Sequence, residues 1–207
     1  VYGRVRIPYG VLFGDFGDMG AALIALKREP ERCIKIMEET IPQILEEIEA
    51  WADTGVHSLW LGQWLCSADL ISETDYLKFV YPYDKLLIEA VKAAGMIPIY
   101  HFCGDAVPRL PYIKKSNPTI FGVEESKKGF DVEIGKIRTG MGKDVCLLGN
   151  VDVYDIVERG TPEMWAQEVE RQVSAAGPER FIVSCGSPIT PDTPPEQLLE
   201  FIQTAKQ

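Results

Sequence analysis

Histidine is scarce in this chain, which has two histidines and five cysteines among its 207 residues. The five cysteines are odd in number and scattered, which is not the pattern of a disulfide framework, so we expect a reducing compartment, the cytoplasm. No apolar run approaches the ~18 residues of a membrane span. The stretch from Val1 to Gly20 lacks the basic-then-apolar order of a signal peptide, so we expect no membrane segment and no secretion.

Positively charged residues are also fewer than negatively charged ones. Lysine and arginine number 21 against 31 acidic residues, and the formal net charge is −10. Nucleic acids and anionic membranes need basic surfaces, so we expect neither as a main partner. The length suits one domain with a substantial core, and no linker or repeat divides residues 1–207. Because the first residue is Val1, we expect the chain to be a piece of a longer one.

The most informative stretch runs from Met96 to Gly104 and predicts a strand. Side chains alternate across a strand, so His101 and Cys103 share one face at its end. A second strand-like run, from Phe181, ends in Cys185 and a glycine. One histidine and two thiols with a position left open form a catalytic zinc set. The alternative is that these thiols are small packing residues, and the residues alone leave both interpretations open.

The order of elements is β then α, repeated about six times, which is typical of an α/β fold with a parallel sheet. An eight-stranded (β/α)8 TIM barrel needs about 250 residues, so we expect the C-terminal three-quarters of such a barrel, with N-terminal strands missing. Helix-capping signals occur at Ser72, Thr161 and Thr193, and Glu31–Ala52 has the apolar spacing of a helix. The predicted strands are Tyr9–Phe13, Val56–Leu61, Met96–Cys103, Thr119–Val123, Val145–Leu148 and Phe181–Cys185.

Six motifs, in order, carry a resemblance to a known family. They are Leu70–Tyr76, Phe79–Tyr83, His101–Gly104, Leu147–Asp152, Gly160–Glu163 and Pro191–Glu196. With these motifs the chain, from about Leu12 to its end, resembles the uroporphyrinogen decarboxylase superfamily. Members of that superfamily are (β/α)8 barrels, so the resemblance implies the same fold here.

The superfamily has two main chemistries. Uroporphyrinogen decarboxylases, which serve porphyrin and heme biosynthesis, carry Gly-His-Gly before the final Pro motif, whereas this chain has Cys185-Gly186-Ser187-Pro188. The other branch, the corrinoid-dependent methyltransferases, resembles this chain in having His-x-Cys-Gly and a later cysteine. That resemblance implies zinc bound by His101, Cys103 and Cys185, and methyl transfer between a methylcobalamin (corrinoid) protein and a thiol of the coenzyme M type or a folate. Two alternatives remain: a decarboxylase, or a non-catalytic subunit or fragment that docks a corrinoid protein.

Several other polar side chains end predicted strands and therefore belong to the expected mouth of the barrel. Glu124 is a candidate fourth, displaceable zinc ligand. His57 starts a strand at the opposite end and is expected to be structural, and Trp64 either lines the site or covers a strand end. The weaker candidates for substrate contact or ligand support, for which capping is the alternative, are Asp15, Asp18, Gln63, Asn150 and Asp152.

Overall fold

The computed structural model describes residues 1–127 and 129–206, which form one parallel sheet flanked by helices. The six strands are paired in sequence order, each parallel to the next. That order is the one by which a (β/α)8 barrel adds its strands, so the α/β prediction is confirmed. The strands are β1 (Tyr2–Arg4), β2 (Ser58–Gln63), β3 (Ile97–Phe102), β4 (Ile120–Val123), β5 (Cys146–Leu148) and β6 (Phe181–Ile182).

The helices connect successive strands, as parallel pairing requires. A 3₁₀ turn at Val107–Arg109 and a π-helical turn at Val153–Glu158 accompany them. Within the described ranges no single helix is long and apolar enough to span a bilayer. The helices Pro8–Asp15 and Met19–Arg28, taken together across a bend of 109°, reach the necessary length and apolar composition. The helices are α1 (Pro8–Asp15), α2 (Met19–Arg28), α3 (Pro30–Asp53), α4 (Glu73–Phe79), α5 (Tyr81–Ala93), α6 (Leu110–Ser116), α7 (Ile134–Met141), α8 (Pro162–Ala176) and α9 (Pro195–Thr204).

The first predicted strand, Tyr9–Phe13, is wrong, because this segment lies in helix α1. Pro8 stands in its first turn, where proline favours a helix, and Tyr9 and Leu12, three residues apart, are both buried. The first strand is instead the shorter β1, which pairs with β2. Three residues carry too little periodic signal to be recognised from sequence.

Two of the three predicted helix caps are confirmed. The Ser72 hydroxyl accepts a hydrogen bond from the Asp75 amide at 3.2 Å, and Thr161 caps α8 in the same way. The cap predicted at Thr193 is wrong: Pro194 holds the cap position of α9, and the Thr193 hydroxyl bonds that of Thr190 at 2.7 Å. Two successive prolines shift the start of this helix by one residue.

The apolar residues form two separate cores. The larger lies between the sheet and the helices α1–α7 and contains the predicted stripe of α3, including Cys33 and Met37, together with Cys66. The smaller core, which we call the C-terminal core, contains Val151, Val157, Trp165 and Phe201. Val183 and Cys185 pack against the C-terminal core.

Arg138, on α7, ties together the amino-terminal ends of β5 and β6. Its guanidinium donates to the carbonyls of Val145 at 2.8 Å, Arg180 at 2.8 Å and Ala176 at 2.6 Å, and also to Gly142. One side chain therefore satisfies backbone acceptors from several connecting loops. This edge of the sheet is opposite to the one that carries the candidate site.

Candidate metal and substrate site

The inner face of the sheet is set by strand register. Trp60 pairs with Ile99, and two residues further along the strands His101 lies between Gly62 and Gly122. Side chains of paired residues point to the same face, so His101 has a glycine on each side. The His101 ring occupies the space that a side chain at Gly122 would need, and the Trp60 and Trp64 rings occupy the space over Gly62.

The His101 ring is held between an aromatic neighbour and the backbone of the adjacent strand. It stacks on Trp60 with ring centroids 4.8 Å apart and planes at 24°. A Cβ on Gly122 would lie 2.7 Å from the ring's Cδ2, closer than such atoms approach. Sequence reasoning missed Trp60, Gly62 and Gly122, although a glycine inside a strand is itself a signal of close approach.

His101 and Cys103 lie side by side at the end of β3. The Cys103 Sγ is 3.6 Å from the His101 Nδ1. Two such ligands on one tetrahedral zinc ion, with bonds of about 2.3 and 2.0–2.1 Å, are separated by about 3.6 Å. Burial lowers the pKa of His101 to about 4, despite the nearby Glu124, and the ring also hydrogen-bonds the backbone of Gly186. The imidazole is therefore neutral at neutral pH, which is the form that binds metals.

Both candidate thiols are protonated at neutral pH in the metal-free protein. Burial, with the Glu124 carboxylate, raises the pKa of Cys103 to about 12. Burial, with the Glu125 carboxylate, raises the pKa of Cys185 to about 11. A bound cation reverses this preference, because a coordinating thiol is deprotonated by the metal. These thiols therefore need a cation before they carry charge.

Cys185 lies beyond β6, where it is bridged in parallel to Val151. It lines a cavity of about 720 Å³ together with His101, Cys103 and Glu124. Within residues 1–127 and 129–206, no three His, Cys, Asp or Glu side chains converge closely enough to hold an ion. The structure thus brings His101 and Cys103 to ligand spacing and places the third thiol on the wall of the same cavity.

Glu124 connects this wall to the backbone after Cys103. Its Oε2 accepts a hydrogen bond from the Gly104 amide at 2.8 Å, and its Oε1 lies 3.1 Å from the Lys127 Nζ. The carboxylate also lies near enough to the Cys103 thiol to raise its pKa. It is therefore close enough to receive the proton of that thiol.

The remaining predicted polar residues lie elsewhere. Gln63 donates to the buried Asp84 at 2.5 Å, on the outer side of the sheet. Asp18 caps α2, Asp152 caps the π-helical turn, and the Asn150 amide donates to the carbonyls of Glu124 and Val132. Asp15 forms an ion pair with Arg32 at 3.7 Å, and His57 precedes β2 at its opposite end.

The cavity wall is mostly apolar, with one positive side chain. Arg4 lies over the Trp64 ring, 5.2 Å from its centroid, and both residues line the cavity. Trp64 therefore lines the site. Among the described lining residues Arg4 is the only lysine or arginine. No motif marked Arg4 in the sequence, because only the pairing of β1 brings it to this face.

A family model described as uroporphyrinogen decarboxylase (URO-D) matches residues 15–207. The chain belongs to this family. A solved structure, a methyltransferase from Methanosarcina mazei, matches with a TM-score of 0.77 at 18% identity, covering 99% of this chain and 58% of that one. The match shows the fold, a URO-D-like barrel in which this chain supplies six parallel strands.

Relatives with both chemistries are similar to this URO-D family chain. A methylated-thiol–coenzyme M methyltransferase from M. mazei is 28% identical over 87% of this chain and 46% of its own length. A methylcobamide:CoM methyltransferase from the same organism is 25% identical over 82% and 50%. A uroporphyrinogen decarboxylase from Chlorobium luteolum is 28% identical over 96% and 56%. The chain thus spans about half the length of the curated relatives it matches.

Proposed function

We propose that this protein transfers a methyl group between a corrinoid carried by a partner protein and a small thiol, at a zinc ion held by His101, Cys103 and Cys185. The supporting observation is the spacing of 3.6 Å between the Cys103 Sγ and the His101 Nδ1 inside a cavity of about 720 Å³. Both the thiol and the corrinoid carrier are consistent with the names of two relatives. A folate acceptor is the alternative for the same site.

The residues of the chain have distinct roles in this proposal. Zinc would supply the positive charge that keeps an acceptor thiol in its thiolate form. His101 presents a neutral ring, with its Nδ1 3.6 Å from the Cys103 Sγ and the Gly186 backbone beside it. Glu124 takes the proton that the Cys103 thiol releases on binding. The apolar wall around Ile99 and Ile120 excludes water from the reacting sulfur.

The proposed zinc set is tested by metal content and methyl transfer. We expect about one zinc per wild-type chain, and loss of zinc and of thiol-dependent demethylation of methylcobalamin in Cys103→Ser and Cys185→Ser. Cys146→Ser is the matched control, because that cysteine is half-buried and outside the cavity. Mass spectrometry measures the zinc content per chain, and the absorbance spectrum of the corrinoid reports the loss of its methyl group. Zinc retained in both ligand variants, or absent from the reconstituted wild type, would contradict the proposal.

Arg4 gives the cavity a preference for an acceptor with an anionic end. We expect Arg4→Met to raise KM about tenfold for 2-mercaptoethanesulfonate, since a charge-assisted contact is lost. The KM for neutral 2-mercaptoethanol should stay the same. Arg6→Met serves as control, because Arg6 pairs with Glu47 at 3.7 Å and does not line this cavity. Equal effects on the two thiols would exclude a charge contact.

Porphyrinogen decarboxylation is the second candidate, because the C. luteolum decarboxylase is as similar to this chain as the thiol methyltransferase. That reaction uses neither zinc nor a corrinoid. Release of carbon dioxide from uroporphyrinogen by metal-free protein, unaffected by Cys103→Ser, would favour it over methyl transfer.

A further inference from the structure

A continuous set of polar contacts joins the two ends of the candidate site. Lys127 lies at its centre: the Nζ is 3.1 Å from Glu124 Oε1, 3.4 Å from Glu125 Oε1 and 2.9 Å from Ser187 Oγ. Ser187 in turn donates to the Glu125 carboxylate, with both oxygens within 2.9 Å. We call Glu124, Glu125, Lys127 and Ser187 the clasp.

One side of the clasp holds the end of β3. Glu124 accepts from the Gly104 amide, and Gly104 directly follows Cys103. The backbone that carries the His101–Cys103 pair is therefore bonded to the same carboxylate that Lys127 binds. A change in the position of Lys127 is transmitted to this pair through one hydrogen bond.

The other side of the clasp holds the Cys185 loop. Ser187 lies two residues after Cys185, and Gly186 between them packs so closely that a Cβ there would be 2.3 Å from the Glu125 amide nitrogen. The loop backbone therefore rests directly on the residues that follow β4. Glu125 is buried, with 4% of its surface exposed, so its carboxylate needs the partners that Lys127 and Ser187 provide.

Charge explains why the central residue is a lysine. Glu124 and Glu125 are adjacent carboxylates whose side chains are 14% and 5% exposed, and they would repel each other in this poorly solvated position. The Lys127 ammonium lies within 3.4 Å of both. It can hold them together with a serine hydroxyl because an ammonium has three donors.

We propose that Lys127 is a positioning residue that holds the Cys185 loop against the His101–Cys103 pair, so that the third thiol can reach an ion bound by the other two. This inference rests on the proposed zinc site. Lys127 itself touches neither the thiols nor His101 among the recorded hydrogen bonds and ion pairs of the described chain. Its effect on the site passes through Glu124, Glu125 and Ser187.

The first test compares the zinc affinity of variants by chelator competition. We expect Lys127→Met to bind zinc about 10- to 100-fold more weakly than wild type, the usual effect of losing a group that supports metal ligands. Lys127→Arg keeps the charge and the donors and should recover most of the affinity. Lys136→Met removes a lysine from an exposed ion pair with Asp131 and should change nothing. Unchanged affinity in Lys127→Met would overturn the inference.

The second measurement reports how many thiolates hold the metal. With cobalt(II) in place of zinc, the sulfur-to-cobalt charge-transfer band grows with each thiolate ligand. We expect its intensity in Lys127→Met to fall to about half the wild-type value, as one of two thiolates is lost. A merely structural role would lower stability without changing this ratio. Ser187→Ala, which leaves both glutamates and the lysine in place, should shift the band in the same direction, and it replaces Lys127→Met should that variant not fold.

The third measurement needs no metal, and it separates this inference from the proposed function. Dibromobimane joins two nearby thiols, and peptide mapping identifies the pair. We expect Cys103–Cys185 cross-linking in the metal-free wild type and at least a fivefold lower yield in Lys127→Met. If the cross-linking yield depends on Lys127 but the protein does not bind zinc, the proposed role of Lys127 is supported and the proposed zinc site is contradicted. Equal yields in the two proteins would reject the clasp.

Discussion

Truncation of Trp165 to alanine is expected to lower the free energy of unfolding by about 3 to 5 kcal/mol, as for other buried tryptophans. The side chain is 2% exposed and packs edge-to-face against Phe201, with centroids 6.2 Å apart. Its Nε1 donates to the Ile156 carbonyl at 2.7 Å. Trp165 thus contacts both α9 and the π-helical turn from α8, and Gln197 of α9 adds hydrogen bonds to the carbonyls of Val157 and Glu158.

The loss of stability in Trp165→Ala is expected to be concentrated in the C-terminal part of the chain. Cys185 and Val183 pack on the C-terminal core and not on the larger one. Hydrogen exchange should therefore accelerate in residues 151–204 of Trp165→Ala more than in β2 and β3. Trp165→Phe is the matched control: it keeps an aromatic ring and loses the hydrogen bond, with an expected cost of about 1 kcal/mol. Urea unfolding gives both values, and a loss below about 1 kcal/mol for the alanine variant would contradict the prediction.

Relative to wild type, the Asp84→Asn variant is expected to become progressively more stable as pH rises. Asp84 is 3% exposed and accepts hydrogen bonds from Gln63 and Tyr100, each at 2.5 Å. Burial raises its pKa to about 7, although these two hydrogen bonds act in the opposite direction. Between the unfolded pKa near 4 and the folded pKa near 7, the unfolded chain loses this proton and the folded chain keeps it. Wild-type stability therefore falls with rising pH in that window.

The measurement is the difference in unfolding free energy between Asp84→Asn and wild type from pH 4 to pH 9. We expect it to move in favour of the variant by roughly 3 to 4 kcal/mol, the free energy of a shift of about three pKa units, and to level off above pH 8. Asp75→Asn is the control: burial raises the Asp75 pKa, but Lys27 and Ser72 outweigh it and leave the pKa lowered, so this carboxyl is ionised in both states above pH 5 and its difference should stay flat from there to pH 9. A difference that does not change with pH would show that Asp84 ionises normally.

The strands of the sheet and the His101–Cys103 pair were predictable because both are local. Apolar runs marked β2 to β6, most of them followed by a glycine, and alternation placed the imidazole and thiol on one face. The first strand was not predictable, because β1 is three residues long and is defined by its pairing with β2. Sequence also ranked Gln63 with the site residues, since it ends a strand, whereas its pairing with Phe102 puts its side chain on the outer face, where it donates to Asp84.

The surroundings of the site also depend on contacts between distant parts of the chain, and not on local sequence. Arg4, Trp60 and Gly122 meet His101 or its cavity only because strand register aligns them. The contact between Lys127 and Ser187 joins residues sixty positions apart. Such contacts depend on tertiary packing, and no local pattern reports them.

The Arg138 anchor has a consequence for anyone who wishes to redesign this barrel. One guanidinium bonds the loops that enter β5 and β6, while the candidate site lies at the ends where the strands leave the sheet. A mutagenesis library can therefore vary exposed positions after Gly104 and after Ser187, such as Pro108, Pro188 and Asp192, and leave Arg138 fixed. Variation at one rim is tolerated when the opposite rim does not depend on it. The fold in this way keeps its capacity to acquire new substrates separate from its capacity to stay folded.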